Sequence, residues 1–292
     1  MRNFAISDIH GNGNLYYSVI SYIENISKYD DVTLYINGDL IDRGQESAEI
    51  LIDLIRRIHD VNNPFKIEYL GGNHELLMYN VFEKRRANIE VPSYNDWYGN
   101  GGFVTDKGLE NNLSKKQIDE IVDYIGNLKL YHKFKEEING KKIVLVHACC
   151  PKEVKDECDL KICEKEKPIF YIVWTRKNDP FVPFKCRIGN KKYFSIVGHS
   201  ANEEKYGYMY DKYENYLNID GGSAMFVYGM SDFEHFPLVE INNEFLKILT
   251  FNNKNEIIYG NYLMNNKSIL FSEEQLDFER SFLNTKLVLK SK

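Results

Sequence analysis

The stretch YLGGNHELLM, residues 69–78, passes from one apolar segment to another through two glycines and three polar residues. The polar residues are Asn73, His74 and Glu75, which place an amide, an imidazole and a carboxylate side by side. A short apolar segment that ends in glycine before a polar cluster is typical of a strand leading into a helix. In open α/β sheets, ligands bind beyond the carboxyl ends of the strands. The stretch therefore predicts a strand end that carries chemistry.

The preceding residues repeat this arrangement. The segments RNFAIS (2–7), VTLYIN (32–37) and FKIEYL (65–70) are short, apolar and typical of buried strands. Between them, apolar residues recur at helical spacing over 15–26 and 50–58. Strands that alternate with amphipathic helices indicate βαβ units and an at least partly parallel sheet. We predict an α/β fold.

The middle of the chain is less regular. Residues 80–140 are predicted to be mostly helical, interrupted by the glycine-rich loop WYGNGGFVT (97–105). A charged, cysteine-bearing stretch at 151–192 is predicted to be an insertion over one face. Three further strands are predicted at 141–147, 193–199 and 216–220.

The C-terminal part has a different pattern. FPLVEI, FLKILTF and EIIYGNYL are sheet-forming segments separated by turn residues. SEEQLDFERSFL follows, with Ser272 and Gln275 at the spacing of a capping box, which predicts a final helix. We therefore predict a catalytic domain over 1–240 and a C-terminal extension over 241–292 that packs on the core.

Composition limits the class of protein. The chain has 292 residues, 43% hydrophobic and 27% charged, with a net charge of −6, which is typical of a soluble globular protein. It has neither a long apolar run nor a secretory leader, so we expect a cytoplasmic protein without a membrane partner. The negative charge argues against a nucleic-acid polymer as a partner. Oligomeric state is not predicted.

The five cysteines favour reduced thiols, because their number is odd and no leader precedes them. Four of them lie close together, at Cys149, Cys150, Cys158 and Cys163. A small zinc site is the alternative, although the spacing lacks the C-x-x-C pairs of structural zinc sites.

Polar residues follow five of the predicted strands. They are Asp8 and His10; Asp39, Asp42 and Arg43; Asn73 and His74; His147; and His199. The carboxyl ends of strands in one sheet meet at one edge, so we expect these side chains to converge. Oxygen and imidazole donors without a thiolate suit Mn²⁺, Fe or Zn²⁺ better than Ca²⁺ or Mg²⁺. Six candidate ligands suit two cations that share a carboxylate. These ligands are Asp8, His10, Asp39, Asn73, His147 and His199.

Each fragment also has an ordinary structural interpretation. Asn73 could cap the helix that follows it, and His147 and His199 could be structural histidines at strand ends. Their joint occurrence in this order favours a functional site. The other three histidines, His59, His132 and His235, lack such a setting and are predicted to be structural or exposed.

The segments that carry a family resemblance are, in order, SDIHGN, NGDLIDRG, GGNHELL, VHA and VGHS. Through them the chain resembles the phosphoprotein phosphatase branch of the calcineurin-like metallophosphoesterases, especially its bacterial and phage protein phosphatases. The resemblance covers about residues 4–225, and WYGNGGFVT, VWTRK and NIDGGSA are similar to further elements of bacterial members. It implies a four-layer α/β/β/α sandwich with two divalent cations at the sheet edges, and we expect these to be Mn²⁺.

The resemblance also implies individual roles. Asp8, His10 and Asp39 would hold one cation, and Asp39 would bridge to a second that is bound by Asn73, His147 and His199. A hydroxide between the cations would attack phosphorus in line.

In the same resemblance, His74 is the general acid and Asp42 orients it. Arg43 and Arg176 would bind the phosphate oxygens of the substrate, close to Asn73.

Two positions depart from the family pattern. Gly71 stands where members often carry a phosphate-binding arginine, and Lys177 or Arg187 could replace it. Ser7 stands where many members have glycine.

Glu75 is expected to satisfy the backbone N–H groups at the first turn of its helix.

The resemblance implies a serine/threonine protein phosphatase that also accepts phosphotyrosine, with a phosphoprotein or a phosphorylated small molecule as substrate. One alternative is a hydrolase of the diadenosine tetraphosphatase type, which shares the metal motifs. A non-catalytic scaffold is the other.

Overall fold

The computed structural model describes residues 1–151, 167–176, 186–187 and 192–283, except the single positions 214, 231, 244, 255, 265 and 266. At 167–170 and 186–187 it describes the backbone only.

The larger sheet has seven strands. Its parallel part comprises β1 (Arg2–Ile6), β2 (Val32–Asn37) and β3 (Lys66–Leu70). Four antiparallel strands continue it from the other side of β1: β11 (Phe236–Ile241), β12 (Leu246–Phe251), β13 (Ile257–Met264) and β14 (Lys267–Leu270). The strand order is β14-β13-β12-β11-β1-β2-β3. The predicted βαβ units and the C-terminal strands thus belong to one sheet.

The second sheet has five strands: β4 (Tyr131–Ile138), β5 (Lys141–Val146), β8 (Tyr193–Val197), β9 (Met209–Asp211) and β10 (Tyr216–Asn218). Their order is β4-β5-β8-β10-β9, and β5, β8 and β10 run parallel. A small antiparallel pair is formed by β6 (Cys150–Pro151) and β7 (Cys186–Arg187).

The helices of the described residues are α1 (Gly13–Ile26), α2 (Ser47–His59), α3 (Asn73–Arg86), α4 (Asp96–Gly99), α5 (Phe103–Asn112), α6 (Lys115–Gly126), α7 (Lys167–Trp174), α8 (Ser223–Phe226) and α9 (Glu273–Ser281). None of these helices combines the length and the apolar composition needed to cross a bilayer.

Alternating residues of the strands face two separate hydrophobic layers. Ala5 of β1 and Tyr35 of β2 pack against Phe194 and Ile196 of the second sheet. Their neighbours along the strands, such as Leu34, belong to the core beneath the helices. Two sheets therefore pack face to face between helices, which confirms the predicted α/β/β/α sandwich.

The prediction that residues 80–140 are mostly helical is wrong at 131–138, which forms β4. This strand pairs antiparallel with β5, and its register shifts between Lys133 and Glu137. The shift breaks the two-residue alternation that identifies a strand in sequence. Charged side chains at an edge strand are also easily mistaken for an exposed helix face.

The final helix is held to the core through buried charges. Glu279 of α9 accepts hydrogen bonds from Lys247 Nζ at 2.8 Å and from the Tyr22 hydroxyl at 2.5 Å. Lys247 also pairs with Glu240 at 2.9 Å, and Arg2 donates to the same Glu240 carboxylate. The division into 1–240 and 241–292 stays a prediction, and its boundary falls within β11.

The zinc alternative involves two buried cysteines, Cys149 and Cys150. Cys158 and Cys163 lie outside the described residues, so the alternative is untested.

Candidate metal centre and active site

The carboxyl ends of β1, β2 and β3 meet those of β5 and β8, and the six predicted ligands lie there, each at most 5% exposed. Much of this region has unusual backbone geometry. Nine non-glycine residues in the described part of the chain have positive φ, and six of them are predicted site residues: Asp8, His10, Asp39, Asp42, Arg43 and His199. Positive φ is strained for residues with a Cβ and often accompanies functional sites.

Asp39 lies at the centre of the cluster. Its Oδ2 is 3.5 Å from His10 Nε2, whereas its Oδ1 is 3.4 Å from His147 Nε2. The two oxygens of one carboxylate thus face two different imidazoles, as a carboxylate shared by two cations would.

Asn73 faces the same cluster. Its Oδ1 is 3.0 Å from His147 Nε2 and 2.8 Å from His199 Nδ1. Gly72, rather than Asn73, is the N-cap of α3, so the interpretation of Asn73 as a helix cap is wrong.

Three histidines are oriented by backbone carbonyls. His10 Nδ1 contacts Ile41 O at 3.1 Å, and His147 Nδ1 contacts Asn37 O at 2.9 Å. His199 Nε2 contacts Trp174 O at 3.2 Å. In each ring the other nitrogen faces the cluster. A histidine that binds a metal typically donates its second N–H to a carbonyl or carboxylate in this manner, so the residues fit the implied cations.

Asp8 is held by its neighbours. Both of its oxygens accept from the His199 backbone N–H, at 3.1 and 3.0 Å, and Ser7 Oγ donates to Oδ2 at 2.5 Å. Its Oδ1 is 3.9 Å from His10 Nε2. The contact from Ser7 was not predicted, and it gives the departure from glycine a structural purpose.

Two sets of donors have ligand atoms within 4.8 Å of one another: His10, Asp39 and His74; and Asp39, His147 and His199. Asp39 is common to both sets, the position that the resemblance gives it. His74 belongs to the first set, although the sequence assigns it to acid catalysis.

The electrostatics of the cluster favour an ionised Asp39. Burial alone would raise the pKa of this carboxyl group, but the imidazoles of His147 and His74 outweigh burial and hold the pKa well below its ordinary value. Burial and the nearby Asp220 raise the pKa of Asp8.

The pKa values of the histidines in the cluster shift in opposite directions. Burial opposes protonation of His147, yet the carboxylates of Asp39 and Asp8 raise its pKa to about 10. Burial and neighbouring cationic groups lower the pKa values of His10 and His199. A cation that binds His147 must displace a proton, which makes cation affinity pH-dependent.

His74 and Asp42 form a buried pair. His74 Nδ1 is 2.8 Å from Asp42 Oδ2, and Arg43 Nη2 is 3.2 Å from His74 Nε2. Burial would lower the pKa of His74, but the carboxylates of Asp39 and Asp42 raise it above its ordinary value. The pairing matches the relation that the sequence predicts for an acid and its orienting carboxylate.

A cleft opens over this cluster. It is lined by His10, Asp39, Arg43, Asn73, His74, Asn100, Trp174, Arg176, His199, Ala201, Asp220, Ala224 and Met225. Both predicted phosphate-binding arginines, Arg43 and Arg176, are in this lining. Family members often carry a phosphate-binding arginine at the position of Gly71, and Lys177 or Arg187 was predicted to replace it. Lys177 and the side chain of Arg187 lie outside the described residues, so this prediction is untested.

Asp220 was not assigned a role from the sequence. It is buried, its Oδ1 accepts from the Gly222 N–H at 2.9 Å, and burial raises its pKa to about 6. It follows β10, the third parallel strand of the second sheet, so the strand-end argument could have identified it.

Glu75 has a larger role than the sequence suggests. Its carboxylate accepts from Gly72 N at 2.8 Å, which confirms the expected contact at the first turn of α3. It also accepts from Asp39 N at 2.8 Å, Leu40 N at 3.0 Å and the Tyr69 hydroxyl at 2.6 Å. Glu75 therefore ties the turn after β2, including Asp39, to the turn after β3.

Replacing Glu75 by Gln is expected to lower the free energy of unfolding by about 1–3 kcal/mol, because an amide nitrogen would face buried backbone donors. Denaturant unfolding measures the change. Glu83→Gln is the control: Glu83 is on the same helix but pairs with Arg86 at the surface, so its change should stay within about 0.5 kcal/mol. Equal stability of Glu75→Gln and the wild type would contradict this role.

The remaining histidines lie apart from the cluster. His59 is exposed and contacts Ile55 O at 2.8 Å. His132 packs against Tyr35 at a ring separation of 4.7 Å, and His235 lies 5.8 Å from the Tyr259 ring. These contacts agree with the structural or exposed settings predicted for them.

Two solved structures are similar to this chain to different degrees. A protein serine/threonine phosphatase from Saccharomyces cerevisiae, similar to human phosphatase PP5, superposes with a TM-score of 0.52 at 14% identity over 86% of this chain and 80% of that one. The cold-active protein-tyrosine phosphatase of a psychrophilic Shewanella species superposes with a TM-score of 0.46 at 11% identity, over 93% and 80% of the two chains.

A curated relative has detectable sequence similarity. The symmetrical bis(5'-nucleosyl)-tetraphosphatase of Proteus mirabilis (strain HI4320) is 26% identical over 148 residues, which are 51% of this chain. The match spans 44% of that relative's length.

The model of the calcineurin-like phosphoesterase family matches residues 1–203. This range contains every strand end that contributes to the cluster of Asp8, Asp39 and Asn73, together with the histidines that surround Asp39. The chain belongs to the calcineurin-like phosphoesterase family.

Proposed function

We propose that this protein is a phosphomonoesterase that uses two divalent cations and acts on phosphoserine and phosphothreonine in proteins, with phosphotyrosine as a further substrate. The observation that supports it most is the orientation of His10, His147 and His199. Each ring has one nitrogen bonded to a backbone carbonyl and the other directed at the cluster around Asp39. Mn²⁺ is the proposed metal, and Fe or Zn²⁺ would suit the same donors.

The proposed ligands divide at Asp39. His10 lies on its Oδ2 side, with Asp8 Oδ1 3.9 Å from His10 Nε2. His147 lies on its Oδ1 side, and Asn73 Oδ1 contacts both His147 and His199. Cations held there would neutralise phosphoryl oxygens and lower the pKa of a coordinated water.

His74 is the proposed general acid. Hydrolysis breaks the bond between phosphorus and the leaving oxygen, and that oxygen needs a proton. Because Asp42 occupies Nδ1 of His74, the proton is donated from Nε2. Arg43 Nη2 lies 3.2 Å from this nitrogen and is itself a donor, so the guanidinium must turn to the substrate phosphate when Nε2 carries the proton. Asp42 fixes the ring and stabilises its charged form.

Arg43 and Arg176 are the proposed phosphate ligands. A guanidinium presents parallel N–H groups that match two phosphate oxygens, and both arginines line the cleft beside Asn73. The substrate phosphate would thus lie between the arginines and the Asp39 cluster.

Two observations support different substrates. Asp42 and Arg43 in DRG, together with Asn73 to Glu75 in GNHE, support the phosphoprotein phosphatase branch. The similarity to the tetraphosphatase of Proteus mirabilis supports a dinucleoside polyphosphate as the second candidate.

The test is release of inorganic phosphate by the Mn²⁺-loaded protein from phosphoserine, phosphothreonine and phosphotyrosine peptides, beside hydrolysis of diadenosine tetraphosphate. We expect peptide turnover that His74→Ala abolishes. Cleavage of the dinucleotide alone would establish the second candidate instead. No turnover of any of these substrates would favour a non-catalytic scaffold.

A further inference from the structure

We infer that Trp97 and Thr105 are positioning residues that hold Asp42 in the orientation needed to pair with His74. This inference rests on the proposed function, because it concerns the general acid of that reaction. The two residues lie on separate elements, Trp97 in α4 and Thr105 in α5, at the ends of the 97–105 segment.

Both carboxylate oxygens of Asp42 accept hydrogen bonds. Thr105 Oγ1 donates to Oδ1 at 2.6 Å, and Trp97 Nε1 donates to Oδ2 at 2.8 Å. His74 Nδ1 lies 2.8 Å from the same Oδ2. The terminal torsion of an aspartate is otherwise broad, so two donors from fixed elements determine which oxygen faces the imidazole.

The segment also holds the backbone of this turn. Asp42 N donates to Thr105 Oγ1 at 3.1 Å, and Arg43 N donates to Gly101 O at 3.1 Å. Asp42 and Arg43 have φ values of +74° and +72°, a conformation that is strained for residues with a Cβ. Contacts from the 97–105 segment therefore stabilise the strained turn that presents both the orienting carboxylate and a phosphate-binding arginine.

Because Trp97, Thr105 and Asp42 are buried, water cannot take the place of the two donor groups. Asp42, Trp97 and Thr105 are each 0% exposed. When a donor is removed, water has no direct access to the vacated carboxylate oxygen, and that oxygen can regain a partner only if Asp42 rotates. Such a rotation would disturb the hydrogen bond to His74.

The test is Thr105→Val, which removes the hydroxyl with little change in volume, assayed on phenyl phosphate and on 4-nitrophenyl phosphate. Phenolate needs protonation more than nitrophenolate does. We expect kcat on phenyl phosphate to fall by about 10–100-fold, the loss that follows removal of an outer-shell hydrogen-bond partner of a metal ligand, because Thr105 supports Asp42 in the same manner. The loss on 4-nitrophenyl phosphate should be much smaller, with KM unchanged on both. Thr105→Ser should restore kcat, and Trp97→Phe should resemble Thr105→Val.

The control is Thr250→Val. Thr250 is also buried and donates to Tyr206 O at 2.9 Å, but it lies in β12, outside the cleft lining. It should leave the ratio of the two kcat values unchanged. An equal loss on both esters in Thr105→Val would mean a structural role only and would overturn the inference.

A second readout does not depend on turnover. The His74 Nδ1–H proton, bonded to a buried carboxylate, should give a low-field NMR resonance that disappears in His74→Ala. Thr105→Val should shift this resonance, and an unchanged resonance would overturn the inference. If the wild-type protein hydrolyses neither ester but Thr105→Val still shifts the resonance, the proposed function is rejected and the positioning of Asp42 by Thr105 is retained.

Discussion

Asp39→Asn is expected to lose both bound cations together and to reduce phosphoester hydrolysis to background. The two oxygens of Asp39 face His10 on one side and His147 on the other. An asparagine side chain is neutral and has a single acceptor oxygen, so it cannot serve both sides. Metal content after loading with Mn²⁺ and gel filtration measures the effect directly.

Asp53→Asn is the matched control for this substitution. Asp53 accepts hydrogen bonds from Arg57 and Tyr16 on α2 and α1, away from the cleft lining. Its metal content should equal that of the wild type. Retention of one full equivalent by Asp39→Asn would contradict the shared carboxylate, and retention of both would also remove Asp39 from the ligands.

His74→Ala is expected to retain its bound metal and to lose most of its activity on phenyl phosphate. We expect kcat to fall by about 10²–10⁴-fold on phenyl phosphate, the usual contribution of general acid catalysis, and much less on 4-nitrophenyl phosphate. The reason is that Nδ1 of His74 is bonded to Asp42, so the ring is oriented as an acid. Steady-state kinetics on the two esters, with metal analysis of the same samples, provide the measurement.

This substitution also decides an ambiguity in the geometry. His74 Nε2 is 3.8 Å from Asp39 Oδ2, close enough to belong to the first set of donors. Loss of one cation in His74→Ala would identify it as a ligand and contradict its role as the acid. His59→Ala, at an exposed histidine, should change neither metal content nor kcat.

The main features of the fold could be predicted because its strands carry strong local signals. VTLYIN and YFSIV are mostly apolar runs, typical of strands that are buried on both faces. β4 was missed because its register shift and its charges remove the alternation on which recognition depends. Local pattern thus predicts a strand with an apolar run, such as β3 at a sheet edge, better than a strand whose register shifts.

The convergence of the site was predictable for a related reason. Parallel strands place their carboxyl ends at one edge, so Asp8, Asp39 and Asn73 had to approach one another once the strands were identified. The contacts that orient these residues were not predictable. Trp97 and Asp42 are 55 residues apart, and their hydrogen bond depends on the packing of α4. The left-handed backbone at Asp39 likewise follows from tertiary contacts, including the bond from its N–H to Glu75.

We propose that hydrolysis requires two cations that share Asp39. The most direct test is titration of the metal-free protein with Mn²⁺, in which bound metal and hydrolysis of 4-nitrophenyl phosphate are followed in the same samples. We predict two equivalents bound per chain, with hydrolysis rising as the second one binds. Full hydrolysis at one equivalent, or hydrolysis that is independent of added metal, would contradict the account.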